Sequence, residues 1–204
     1  SDFSGFTKLS EQMEPKSLID LLNQYFTVFD SVVDKHGLEK LKTIGDSYMC
    51  VSGLPGETRG HAIRVCLASL EIQDYMNRMN AKREKMRMPR WDMRIGIHSG
   101  PVIAGVVGER KFTYDIWGDT VNTASLLEQQ GEAGRVNISA TTYQHVNEMF
   151  DIEDRGKITS GKKGDIPMYF LNRLKEEFSG DQEGLQPNDT FLQKYERLMK
   201  IYKP

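Results

Sequence analysis

The chain has 204 residues, 27 basic and 29 acidic, for a formal net charge of −2 and a pI near 6.1. Such a balance argues against a dedicated nucleic-acid binder, whose contact face is usually strongly basic. With 38% hydrophobic and 27% charged residues the composition is that of a soluble globular chain, not a disordered one.

Cys50 and Cys66 are too few for a disulfide framework and sit in apolar runs, so both are expected as buried free thiols. No run of ~18 apolar residues is present, so no transmembrane helix is expected, and the opening residues are not expected to act as a signal peptide. The sequence starts at Ser1, and Asp2-Phe3 reads as the last part of a strand, so a fragment of a longer protein is expected.

Leu18, Leu21, Leu22, Tyr25, Phe26, Phe29, Val32 and Val33 recur at steps of three and four, an amphipathic helix. Ser10 signals its start, with Glu11 and Glu14 in the first turn, and Gly37 its end. Leu38–Ile44 and Ser47–Val51 flank Gly45-Asp46, the pattern of a hairpin, and a loop follows through Gly56. A second helix spans His61–Met79, its inner stripe formed by Ala62, Val65, Cys66, Ser69, Leu70, Gln73 and Met76. The basic stretch Lys82–Arg90 reads as a solvated loop.

Met93–Ile97 and Val102–Val107 read as strands joined at Ser99-Gly100-Pro101. Asp119–Glu128 reads as a short helix, Arg135–Ile138 as a strand, and Thr141–Met149 as a helix capped near Ser139 or Thr141. Ile152–Ile158 and Met168–Leu174 are strands about a turn at Ser160–Gly164, and Phe191–Tyr202 forms a terminal helix. The expected fold class is α+β: a ferredoxin-like βαββαβ, antiparallel-rich sheet with helices packed on it and additional C-terminal strands. The expected division is a catalytic domain over 1–174 and a polar extension with a terminal helix over 175–204.

Asp2-Phe3-Ser4-Gly5-Phe6-Thr7 puts a carboxylate at a strand end, and small residues lead into a helix. Free N–H groups at a helix start suit a triphosphate, and a carboxylate beside them suits Mg²⁺. Asp46 tips the hairpin, and two aspartates at adjacent loop ends can hold two metals. His98 reads as a satisfied strand histidine, and Trp117 and Phe112 as packing at a site wall or a dimer interface.

Four segments occur in order: Asp2-Phe-Ser-Gly-Phe-Thr, Lys42-Thr-Ile-Gly-Asp46-Ser-Tyr-Met, Arg94-Ile-Gly-Ile-His-Ser-Gly100-Pro-Val, and Phe112-Thr-Tyr-Asp-Ile-Trp-Gly-Asp-Thr-Val-Asn122-Thr-Ala-Ser. Together they resemble the catalytic domain of class III nucleotidyl cyclases, from Ser1 to about Arg173. No Walker A pattern is present.

The resemblance implies the nucleotidyl cyclase fold and conversion of ATP or GTP to the 3′,5′-cyclic nucleotide and pyrophosphate. It implies a head-to-tail homodimer with sites at the interface and two Mg²⁺ or Mn²⁺ ions per site. It assigns metal binding to Asp2, Asp46 and the Phe3 carbonyl, and phosphate binding to the backbone of Ser4, Gly5, Phe6 and Thr7. Arg94 matches a phosphate-contacting arginine, and Asn122 the asparagine that orients ribose and phosphate. An upstream regulatory or sensor domain is implied, often membrane-bound, with this domain in the cytoplasm.

Lys42 and Asp115, with Ile116 beside it, match the family's base-reading positions. A lysine donor and an aspartate acceptor complement N1 and N6 of adenine, whereas guanine calls for a carboxylate near position 42. A mispaired base leaves buried groups unpaired, so the reading is an adenylyl cyclase taking ATP. A guanylyl or dual-specificity cyclase is the alternative within the family.

Two departures stand out. Four residues after Asn122 the family has a transition-state arginine, and here the residue is Leu126. Leucine donates no hydrogen bond, and losing one preorganised donor commonly costs ~10²–10³-fold in rate. A nucleotide-binding regulatory pseudocyclase is therefore a further alternative; Arg135 is one nearby cation in sequence. In the hairpin Ser160-Gly-Lys-Lys-Gly164 the usual triphosphate-contacting lysine falls on Gly161, so Lys162 or Lys163 is the candidate.

Overall fold

The computed structural model describes residues 1–56, 58–108, 113–160 and 164–201. Strand β1 (Asp2–Phe3) leads into a short helix α1 (Phe6–Glu11) and a long helix α2 (Pro15–Lys35). A hairpin follows, β2 (Glu39–Ile44) and β3 (Ser47–Val51), then helix α3 (His61–Lys85) and strand β4 (Met93–Ile97). Next come β5 (Ile103–Val107), β6 (Thr113–Trp117), helix α4 (Asp119–Gln129), β7 (Val136–Ser139) and helix α5 (Ala140–Val146). Strands β8 (Phe150–Ser160) and β9 (Gly164–Leu174), a 3₁₀ turn (Glu176–Phe178) and helix α6 (Asp189–Ile201) complete the order.

The main sheet has the order β1-β4-β7-β9-β8, antiparallel throughout except for the parallel β4–β7 pair. The β2–β3 hairpin abuts β1 through reciprocal backbone bonds: Ser1 N to Tyr48 O at 2.9 Å, and Tyr48 N to Ser1 O at 3.0 Å. This is the expected α+β plan.

Alternation along β4 sorts its side chains. Met93, Ile95 and Ile97 are buried in the common core, with α3 packed on the strand, while Arg94, Gly96 and His98 face the other side. Likewise Phe3 points inward, 2% exposed, onto Trp91 with ring centroids 5.3 Å apart and edge-on, while Asp2 takes the opposite face. The segment entering β4 is pinned by Asn80, whose amide accepts from Trp91 N at 2.8 Å and donates to Trp91 O at 3.1 Å. The aromatic core and this clamp thus fix the face on which Asp2 and Arg94 stand.

On that face α4 rides directly on β4. A Cβ at Gly96 would lie 2.2 Å from Glu128 N and 2.5 Å from Ala124 O, so only glycine permits the approach. Gly96→Ala is expected to destabilise the fold by roughly 2 kcal/mol or more through this backbone clash. Thermal unfolding checks this, and an unchanged midpoint would refute the seam. The far end of α4 is held from β7, where the buried Asn137 donates to Leu127 O at 2.8 Å.

Several expectations change. The long helix starts at Pro15, capped by Glu14, which accepts from Ser17 N at 3.0 Å; Ser10 belongs to the separate α1. Proline at the first helical position, free of an N–H that would go unpaired there, is the physical reason. The stretch from Lys82 is not all loop: α3 runs to Lys85, and Arg83 is buried, its Nε donating to Pro89 O at 2.6 Å. Strand β6 was not expected, yet it pairs with β5 from Ile103↔Trp117 to Val107↔Thr113. Cys66 is buried, but Cys50 is only half-buried. Burial still pushes the Cys50 thiol up to about 11, so it is no reactive thiolate.

The last segment packs on the rest. Phe191 of α6 is 2% exposed within the common core, and Arg59 Nη1 donates to Met199 O at 2.7 Å. Among the described residues no helix is long and apolar enough to cross a membrane.

Candidate active site

The sheet face under α4 gathers two groups of the expected residues. The first begins at Asp2, whose carboxylate accepts from Ser47 Oγ at 2.5 Å and from Arg94 Nη2 at 3.4 Å. Arg94 Nε donates to Glu128 Oε1 at 2.8 Å. Asp46, at the tip of the β2–β3 turn, stands close enough to Asp2 for the two charges to repel. Burial chiefly, and then Asp2, push the Asp46 carboxyl above the usual carboxylate range; hydrogen bonding to the Asp46 and Phe3 backbone opposes this.

Asp46 Oδ2 is buried with no hydrogen-bond partner among the described residues. A buried, unpartnered carboxylate oxygen beside a second carboxylate is a site that a cation would satisfy. Two carboxylates are hard oxygen donors of the kind that suits Mg²⁺ or Mn²⁺, so the residues present fit such an ion. Gly5 (φ 72°) stands at the N-cap of helix α1 and provides no side-chain cap, leaving the leading N–H groups uncommitted to a capping side chain. Ser4 N donates to Asp92 O at 2.8 Å, which ties this turn to the strand that carries Arg94.

The second group lies along a cleft of about 850 Å³ whose walls include Lys42, Ile116 and Asn122. Lys42 Nζ donates to Asp115 Oδ2, and Asp115 Oδ1 accepts from Ile116 N at 2.9 Å. The lysine hydrogen bond holds the Asp115 carboxyl below the usual carboxylate range. Ser47 and Glu128 line the cleft and also touch the first group, so they join the two.

Other expected residues fall elsewhere. Leu126 is half-buried on α4 and is not part of the cleft wall, whereas Asn122 is exposed to it. Arg135 does not stand in for the missing arginine: it bonds Glu153 at 2.5 Å and Asn172 at 2.9 Å and stacks 3.8 Å over Phe170. His98 Nδ1 is satisfied by Ser139 Oγ at 2.8 Å, as a strand histidine would be. Trp117 stands on the exposed β5–β6 ribbon, 40% accessible. Lys162, Lys163, Gly161 and Phe112 lie outside the described residues.

Residues 1–173 match the family model described as the adenylate and guanylate cyclase catalytic domain. The chain is 40% identical over 174 residues to atrial natriuretic peptide receptor 2 of Rattus norvegicus, covering 84% of this chain and 16% of that receptor. It is 35% identical over 191 residues to an adenylate cyclase of Mycobacterium tuberculosis, covering 92% of this chain and 42% of that protein. A crystal structure of the catalytic core of a rhodopsin-guanylyl cyclase with converted specificity, in complex with ATPαS, superposes with a TM-score of 0.76 at 34% identity. That match covers 83% of this chain and 90% of the solved one. The chain belongs to the adenylate and guanylate cyclase catalytic-domain family, the class III nucleotidyl cyclases. It spans less than half the length of these two curated relatives.

Glu128, which the structure places at the cleft wall against Arg94, was not singled out from the sequence. Its partner Arg94 is 34 residues away, and nothing in the local pattern of α4 marks it.

Proposed function

We propose that this domain is an adenylyl cyclase, converting ATP to 3′,5′-cyclic AMP and pyrophosphate. The observation that carries the reading is the Lys42–Asp115 pair beside the cleft. Its ammonium can donate to adenine N1 and its carboxylate can accept from N6, while guanine would present N–H where Lys42 also donates.

In this reading the ribose 3′-oxygen bonds to the α-phosphorus as the bond to the bridging oxygen breaks. The hydroxyl proton passes to a water molecule, and pyrophosphate departs with the electron pair of the broken P–O bond. Asp2 and Asp46 would hold Mg²⁺ or Mn²⁺, which when bound lower the hydroxyl pKa and offset the leaving charge. Asn122 orients the ribose and α-phosphate, Arg94 presents N–H groups to the phosphates, and the Gly5–Thr7 backbone cradles the distal ones. Lys162 or Lys163 is proposed as a further triphosphate contact.

The active form proposed is a head-to-tail homodimer. Each chain gives its aspartates to one site and its Lys42, Asp115 and Asn122 to the other. Ile103, Val106, Val107 and Trp117 on the β5–β6 ribbon, with Ile44 on the hairpin, are large apolar side chains left exposed, which supports a covered face. In a longer protein the domain is proposed to lie in the cytoplasm behind a sensor module, a reading supported by its match to 16% of a receptor.

Incubating the protein with ATP or GTP and Mn²⁺ tests the reading, and cyclic AMP is expected to dominate. Cyclic GMP as the main product would assign it to guanine instead. Lys42→Glu is expected to lower turnover of ATP by about 10²-fold and to shift the ATP/GTP ratio toward GTP, because a carboxylate faces an acceptor on adenine. An unchanged ratio would remove Lys42 from base recognition. Leu126 favours a second reading, a nucleotide-binding regulatory domain. Nucleotide binding without cyclic product from either purine would establish it.

A further inference from the structure

Glu128 lies 13% exposed at the cleft wall and takes the Nε–H of Arg94 at 2.8 Å. The same guanidinium reaches Asp2 through Nη2 at only 3.4 Å, a long single contact. Arg94 is therefore shared between two carboxylates, and the shorter, less exposed bond goes to Glu128. A guanidinium left with one carboxylate tends to close on it by two parallel N–H···O bonds, and such pairs are strong. Closure on Asp2 would occupy both oxygens of a proposed cation ligand.

We infer that Glu128 is a positioning residue: by holding Arg94 through Nε it keeps the guanidinium from closing on Asp2, leaving Asp2 open to a divalent cation and the remaining Arg94 N–H groups open to phosphate. Nothing local to α4 requires a carboxylate there. The helix is fixed by its seam on Gly96 and by Asn137, and Glu128 spends its charge across that seam. The inference rests on the proposed roles of Asp2 and Arg94.

The test is a double-mutant cycle read as cation affinity. Free Mn²⁺ is followed by electron paramagnetic resonance, with 2′,3′-dideoxy-ATP or 2′,3′-dideoxy-GTP, which lack the attacking hydroxyl. Glu128→Ala is expected to weaken Mn²⁺ binding about tenfold when Arg94 is present, and by less than about twofold in an Arg94→Ala background. Glu128→Gln, which keeps an oxygen for Nε, should recover most of the loss. An equal loss in both backgrounds would mean that Glu128 acts by its bulk charge or by stabilising the fold, and no loss in either would mean that it does not position Arg94; both overturn the inference. Should Glu128→Ala fail to fold, Glu128→Asp, which withdraws the carboxylate by one methylene, takes its place in the cycle. Turnover of ATP and GTP by the unaltered protein is measured on the same preparation. Cation binding without turnover counts against the proposed activity and leaves the cycle to decide the role of Glu128, while no Mn²⁺ binding at all overturns both.

Discussion

Asp46→Asn is expected to abolish cyclic-nucleotide formation, by on the order of 10³-fold or more, while leaving the domain folded. The asparagine keeps the shape and the turn chemistry of position 46, so only the charge is removed. If that charge binds a cation that stabilises the transition state by several kcal/mol, each 1.4 kcal/mol lost costs about tenfold in rate. Stability should move the other way. Burial, and then Asp2, raise the Asp46 carboxyl in the folded state. A raised carboxyl favours the fold at pH values where it is protonated, and that contribution fades as pH climbs through its folded value. At neutral pH and without added metal the raised Asp46 carboxyl therefore opposes folding, and Asp46→Asn should unfold at a higher temperature than the unaltered protein. Added Mn²⁺ should raise the midpoint of the unaltered protein and leave that of the variant nearly unmoved. Thermal scans with and without Mn²⁺, beside a cyclase assay, check all three. Retained activity would reduce Asp46 to a turn residue.

Leu126→Arg carries the largest expected gain. Asn122 and residue 126 are one helical turn apart on α4 and share a face. Leu126 offers no donor, and Arg135, the nearby cation in sequence, is committed to Glu153, Asn172 and Phe170 on the far strands. Leu126 does not itself line the cleft, but an arginine there, one turn from Asn122 and longer than leucine, would reach the α-phosphate end of the proposed site with a cation. One preorganised donor is commonly worth ~10²-fold or more in rate, so kcat should rise by about that factor with a smaller change in KM. Because the position is half-buried, a modest fall in thermal stability should accompany the gain. Steady-state kinetics with both purine nucleotides decides it, and no gain would mean that position 126 does not limit turnover.

Much of this was legible along the chain. The period of three and four that marks α2, the alternating runs around Gly45-Asp46, and the four ordered segments depend on neighbours within a turn or a strand. The misreadings have local causes too. Glu14-Pro15 was a usable start signal for α2, but Ser10 competes with it because a separate short helix ends nearby. Strand β6 hides in a segment of mixed polarity in which Ile116 is buried, and its partner β5 is largely exposed, so the pair lacks the clear alternation of a half-buried hairpin. Arg83 reads as one more surface cation until Pro89 folds back to meet it.

By itself the sequence determined which side chains can do chemistry here and on which kind of element each sits, because helix period, strand alternation and turn residues are set by near neighbours. Only the tertiary structure decided how they are shared. Lys42 meets Asp115 across 73 residues, Arg94 is divided between Asp2 and Glu128, and Asp46 is left with a buried oxygen that has no partner among the described residues. Those outcomes follow from the hairpin abutting β1 and from α4 lying on Gly96, contacts between distant segments that no local pattern encodes.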